Sequence, residues 1–219
     1  MKKILVVLFM LFISSLMFAE NVISVSPYLD IGTTDITENN EDFMLFSIKI
    51  HVSADYKYIT KYGVMFGAQA SIFPDIVRYG STTGALDGIV INHTGFGVDF
   101  APIVGYRFGK NHLIGVELLP INVSFSSFKG NASATKIVKN TTVNVDVPLS
   151  GDITTFSTQI RANIQFGSGL ARNGFIAGLG IPWNIKFSDF KLANSPKMSE
   201  SYKCSGFYIL VGYKISFVM

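Results

Sequence analysis

The chain has 219 residues, 48% of them apolar and only 15% charged, with a formal net charge of +3. That balance is greasy for a soluble domain, yet after the first twenty residues no apolar run approaches the ~20 residues of a helical membrane span. Scattered basic residues argue against a nucleic-acid partner, and a single cysteine, Cys204, excludes a disulfide framework or a thiolate metal cluster.

The N-terminus reads as a secretory signal. Lys2 and Lys3 are the positive region, Ile4 to Ile13 the apolar core, and Met17-Phe18-Ala19 a small-residue cleavage site before Glu20. Residues 1–19 are therefore expected to be a cleaved signal peptide and residues 20–219 a single β-domain. Without Lys2 and Lys3 the chain is nearly neutral.

From Val22 onward the period of apolar residues is two, the mark of strands. Strand one is Val22 to Ile31, and Gly32 to Asp42 is a polar connection. Strand two, Phe46 to Tyr58, is the cleanest: Phe46, Ile48, Ile50, Val52, Ala54, Tyr56 and Tyr58 alternate with Ser47, Lys49, His51, Ser53, Asp55 and Lys57. Strand three is Gly63 to Phe73, followed by a polar connection from Pro74 to about Asn92. Strand four covers about His93 to Phe108, with a tight turn at Gly109-Lys110-Asn111, and strand five about His112 to Phe128. Gly130 to Gly151 is a long connection in which Thr142 to Val147 alternates Val with Thr, Asn and Asp, so this hairpin is expected to extend beyond the bilayer. Strand six, Thr154 to Phe166, a turn from Gly167 to Gly174 and strand seven, Phe175 to Phe190, follow. On strand seven Ile185 and Phe187 are expected to face outward and Lys186 inward. Lys191 to Lys203 is polar, and strand eight runs from Gly206 to the C-terminus.

Each run is long enough to cross a bilayer at the usual tilt, which takes roughly 9–11 residues. The connections alternate long and short, as membrane barrels require of their two ends. Both termini are then expected on the periplasmic side, with Gly32–Asp42, Pro74–Asn92, Lys129–Gly151 and Lys191–Lys203 as four long extracellular loops. Aromatics gather at strand ends, where interface girdles belong. Pro27, Pro102, Pro120 and Pro182 lie inside strands, where each removes a ladder donor, so bulges are expected. Strand five needs one near Leu119-Pro120, because otherwise Glu117 or Asn122 faces lipid.

The last strand, Gly206-Phe-Tyr-Ile-Leu-Val-Gly-Tyr-Lys-Ile-Ser-Phe-Val-Met219, has one large apolar face and ends two residues past an aromatic. With this strand and the architecture above, residues 22–219 resemble the small eight-stranded β-barrel proteins of the bacterial outer membrane. The resemblance implies an all-β, antiparallel, up-and-down transmembrane barrel embedded in outer-membrane lipid. It also implies that Gly212, Tyr213, Ile215 and Phe217 form the signal read by the barrel-assembly machinery. The family contains adhesins, small-solute channels, lipid-modifying enzymes and membrane anchors, so it implies no single activity.

The inward positions supply Asp30, Lys49, His51, Asp55, Asp99, Arg107, Glu117, Arg161, Lys186 and Lys214. Buried charges need partners, and these are expected to form a structural polar network filling the lumen, with Asp30 a candidate partner for Lys214. His51, His93 and His112 cannot meet in one metal site in this topology. No phosphate loop, dinucleotide fingerprint or paired catalytic carboxylate is present, so neither a cofactor nor an enzyme is expected. Two readings remain. One is a surface-exposed structural or adhesin-like protein whose loops meet an extracellular ligand or host partner. The other is a narrow conduit for small or apolar solutes. A soluble ligand-binding barrel of lipocalin type would reverse the two faces.

Overall fold

In the computed structural model residues 20–38, 41–81, 89–108, 113–138, 141–167, 170–193 and 195–219 are described. The expected signal segment, the expected Gly109-Lys110-Asn111 turn and His112 lie outside them. Eight antiparallel strands close into one barrel in sequence order: β1 (Glu20–Glu38), β2 (Glu41–Ile59), β3 (Val64–Ser81), β4 (Ile89–Phe108), β5 (Ile114–Val138), β6 (Thr141–Phe166), β7 (Ala171–Leu192) and β8 (Met198–Val218). β1 seals the ring by pairing with β8, from Val22↔Val218 to Ile36↔Cys204.

The strands have 18–26 residues, far more than a bilayer crossing needs. The excess lies at the end away from the termini, here called distal. There the long polar connections expected from the sequence are largely strand: β1 continues through Glu38, β3 through Ser81 and β5 through Val138. Neighbouring strands supply ladder partners there, so the hairpins extend instead of looping.

The faces are inverted relative to a soluble protein. Ile50, Ile72, Phe96, Phe100, Ile160, Phe175 and Val211 all stand at least half exposed, while Lys57, Asp99, Glu117 and Lys214 are fully buried. A continuous apolar exterior of this extent marks a lipid surface, and it excludes the lipocalin arrangement. On the terminal side the belt ends in touching rings: Phe166 against Phe175 at 6.3 Å, Phe175 against Tyr213 at 5.7 Å and Tyr106 against Phe108 at 4.8 Å.

The β2–β3 turn is closed by Gly63 at φ +88°, whose amide donates to the Thr60 carbonyl at 2.9 Å; a Cβ-bearing residue is strained there. On β5 the register shifts between Leu119 and Asn122. Pro120 and Ile121 then both face outward, and Glu117 and Asn122 both stay inside. On β7 the register shifts between Gly180 and Asn184, across Pro182. This shift overturns the expected phase of the distal part of that strand. Ile185 is buried and Lys186 is exposed. Phe187 leaves the outer girdle to pack partly buried on the distal apolar cluster.

Candidate functional site in the barrel lumen

The inward residues of successive strands stack in tiers. Nearest the termini is an ion-pair plug. The Glu117 carboxylate is its hub: Oε1 accepts from Lys57 Nζ at 2.7 Å, from Lys214 Nζ at 3.3 Å and from Asn163 Nδ2 at 2.8 Å. Arg107 Nη2 lies 4.0 Å away. Asp55 faces the same two ammonium groups, with Oδ1 3.0 Å from Lys57 and Oδ2 3.3 Å from Lys214. Arg107 Nη1 also donates to Gln165 at 2.7 Å, and Gln165 donates on to Ser216 at 2.6 Å. β2 and β8 each deliver a lysine, at Lys57 and Lys214, that meets a β5 carboxylate across the lumen. Lys214 thus finds Asp55 and Glu117 and not Asp30, because Asp30 sits opposite Leu210, two inward rungs away. At the mouth Arg172 reaches Glu20 at 3.3 Å.

Above the plug a stack of rings and cations crosses the lumen. Arg161 lies over the Tyr28 ring at 5.0 Å, and Tyr28 stacks on His51 at 4.4 Å with planes 7° apart. His51 lies 4.6 Å from Phe73, whose ring carries Lys49 Nζ at 5.0 Å. Asp30 Oδ2 is 3.1 Å from His51 Nε2, and Asp99 Oδ2 is 3.1 Å from Nδ1. Arg161 also donates to Gln69 and Gln159. Ser71 Oγ lies 3.0 Å from His51 Nδ1, so a serine, an imidazole and a carboxylate line up. Tyr28 and Phe73 cover the two faces of the His51 ring, and Ser71 is buried.

Beyond the stack lies a pocket and then an apolar tier. The pocket has Asp30, His51, Gln159 and Tyr208 at its base. The apolar tier is Ile36, Leu45, Val77, Phe128, Leu149, Ile153 and Ile185. His93, buried on β4, packs against Phe128 with ring centres 4.4 Å apart. Among the described residues no group of three His, Cys, Asp or Glu side chains could hold a metal ion.

Of the ten charged side chains expected in the lumen, Asp30, His51, Asp55, Asp99, Arg107, Glu117, Arg161 and Lys214 are buried there. Lys49 is half-buried and lines the pocket; Lys186 points outward. Three participants were not anticipated. Lys57 already sat on the inward face of strand two by alternation, which was signal enough. Asp75 lies beyond Pro74 and fell in an expected connection, though Asp75 and Val77 keep the period-two phase of Phe73. Arg172 fell in an expected turn. Of the final-strand signal residues, Tyr213, Ile215 and Phe217 face outward, and Gly212 lies under Tyr28, whose Cβ would be 2.3 Å from any Cβ added there.

A closed eight-stranded up-and-down barrel with an apolar belt outside and a charged interior defines the class: a small β-barrel of the outer-membrane type. The outer membrane protease OmpT from Escherichia coli is similar in fold, with a TM-score of 0.55 at 6% identity over 92% of this chain and 96% of that one. The outer membrane protein OprG from Pseudomonas aeruginosa is similar too, with a TM-score of 0.52 at 10% identity over 91% of this chain and 97% of that one. At such identities the likeness is one of fold. No family model matches the chain, and no curated protein matches its sequence.

Proposed function

We propose that the chain is an outer-membrane anchor for a surface-exposed interaction element. Its termini are periplasmic, its distal hairpins extracellular and its lumen closed to through-flow. The apolar belt, flanked by aromatic rims, supports a bilayer location. The buried ion-pair plug supports closure, since an eight-stranded barrel is just wide enough for side chains to fill. The barrel-assembly machinery and outer-membrane lipid are its proposed partners in biogenesis, the former reading Gly212, Tyr213, Ile215 and Phe217. Secretion by residues 1–19 belongs to the same reading.

The observation that carries the interaction role is the β5–β6 hairpin. Its ladder continues from Ala134↔Val145 to Val138↔Thr141. The β4 partner stops at Ile89↔Ala134 and the β7 partner at Leu149↔Leu192. Thr141–Val147 is therefore a strand edge with no β7 partner among the described residues. Such a backbone edge suits pairing with an extended segment of a host or matrix protein.

Surface proteolysis of intact cells combined with planar-bilayer recording tests this reading. Cleavage confined to the distal connections, with no steady stepwise current, is expected. Protection of the β5–β6 hairpin on intact cells would overturn display, and a steady unit conductance would establish the conduit instead.

A further inference from the structure

The distal pocket offers about 50 Å³ to water-sized molecules. A water needs roughly 10–15 Å³ on this measure, so the space suits a few waters or one small ligand. Three side chains in its wall are each more than nine-tenths buried and hold an oxygen without a partner: Asp30 Oδ1, Asp75 Oδ1 and Asn122 Oδ1. Their other polar atoms are already engaged. Asp30 Oδ2 faces His51, Asp75 Oδ2 accepts from Ser126 at 3.3 Å, and Asn122 Nδ2 donates to Ser157 at 3.5 Å. Buried acceptors left idle are costly.

The surplus is in acceptors, and the fixed charge matches it. By register Lys49 stands between the two acids, opposite Asp30 on one side and Asp75 on the other. Its ammonium nevertheless rests on Phe73, 5.0 Å from the ring centre. Asp30, Asp75 and Lys49 together leave one negative charge, which His51 beside Asp30 offsets only when protonated. The distal wall is apolar, made by Leu45, Val77, Ile153 and Ile185. Acceptors and a negative charge at one end, and aliphatic surface at the other, fit one kind of molecule. A divalent cation leaves the aliphatic wall unused and finds no ligand trio among the described residues.

We infer that this pocket binds a short-chain primary amine as its ammonium. Its three N–H groups donate to Asp30, Asp75 and Asn122, and its alkyl tail lies against Leu45, Val77, Ile153 and Ile185. The ligand neutralises the wall and satisfies its idle acceptors in one step. This assignment stands apart from the role of the hairpins, because a plugged barrel with an inert surface could still bind the amine.

The test uses the signal-free chain refolded in detergent micelles, with amide shifts of β1–β3 followed by NMR. n-Butylammonium is titrated beside n-butanol and n-butyrate, which keep the tail and change the head. Saturable shifts are expected for the ammonium alone. Asp75→Asn preserves shape and should weaken binding at least about tenfold, one charge-assisted contact being lost. Asn122→Asp adds a carboxylate and should tighten binding several-fold. Equal response to butanol, unsaturating shifts as from a pocket holding water only, or unchanged affinity in Asp75→Asn each overturn the assignment. If Asp75→Asn does not fold, Asn122→Asp decides alone, and unchanged or weaker binding there overturns it.

Discussion

Replacing Glu117 by glutamine probes the plug at its hub. The wild-type tier sets Lys57, Lys214 and Arg107 against Asp55 and Glu117, all within 5% exposure. Glu117→Gln leaves three cations facing one carboxylate, because the amide keeps an acceptor oxygen but not the charge. Breaking a buried pair from one side costs about 3–5 kcal/mol, because the remaining charge stays desolvated. Lys214→Met acts differently. It leaves two cations and two carboxylates, fills a similar volume, and Lys57 still reaches both acids at 2.7 and 3.0 Å. Its cost should stay below about 1.5 kcal/mol. The double variant should recover at least about 1 kcal/mol of the Glu117→Gln loss, the sign of direct coupling. Unfolding in denaturant, followed through Trp183 on the lipid face and through the electrophoretic mobility of the folded barrel, measures all three. Glu117→Gln within about 1 kcal/mol of wild type, or Lys214→Met the more damaging of the two, would mean that water screens the tier, and the reasoning would fail.

Two further outcomes follow from local geometry. A Cβ at Gly180 would sit 2.0 Å from Tyr208 Cζ, so Gly180→Ala should push Tyr208 away from Ser157 and Gln159 and cost about 1–3 kcal/mol; on a Tyr208→Ala background the same change should cost far less, and an equal cost would refute the contact as cause. Cys204 lies distal to Phe207, outside the belt, where burial pushes its thiol up to about 11. A raised value means little thiolate at neutral pH, so maleimide labelling should climb about tenfold per pH unit through the range where a free cysteine, near pKa ~8.5, has already levelled off; a plateau near that pH would show an unhindered thiol.

Period-two patterning made the strands legible because each face of a membrane barrel meets a different solvent. Phe46 to Tyr58 shows this best: a one-residue slip would put Lys49, His51, Asp55 and Lys57 into lipid. The same logic located the shift at Leu119-Pro120, since Glu117 and Asn122 have opposite parity and both must avoid lipid. It missed Lys186 for a specific reason. Ile185 and Phe187 gave an apolar set that kept the phase of Ile181 and Trp183, so no charge conflict signalled the shift at Pro182. In the distal region the lumen itself turns apolar, and patterning no longer separates inside from outside. The β5–β6 extension was legible in the alternation of Thr142 to Val147, while the other extensions were hidden for a related reason: beyond the bilayer neither face has to be greasy, and strand composition drifts towards that of a loop. The partners within the lumen depend on which rungs meet across the barrel, which alternation along one strand does not encode. Hence Lys214 was assigned Asp30 by neighbourhood and found Asp55 and Glu117.

A closed barrel has no edge on which to place a proline, and Pro27, Pro74, Pro102, Pro120 and Pro182 each coincide with missing rungs. Two kinds of gap result. At Pro27 the β1–β8 ladder skips from Val25↔Ile215 to Tyr28↔Gly212 without changing register, and at Pro74 the β2–β3 ladder skips from Lys49↔Asp75 to Val52↔Ile72 in the same way. Those gaps only remove hydrogen bonds and leave every side chain on its face. At Pro120 and Pro182 the register shifts as well, and there the facing reverses. The first reversal lets β5 send Glu117 into the plug and Asn122 into the pocket. The second carries Ile185 inward and Lys186 out. Without them the pocket would lose its amide acceptor and one side of its aliphatic wall and would gain a second lysine beside Lys49. Asn122 among the idle acceptors and Ile185 in the aliphatic wall thus follow from where two prolines interrupt the ladder, while the other members of both sets keep the plain alternation of their strands.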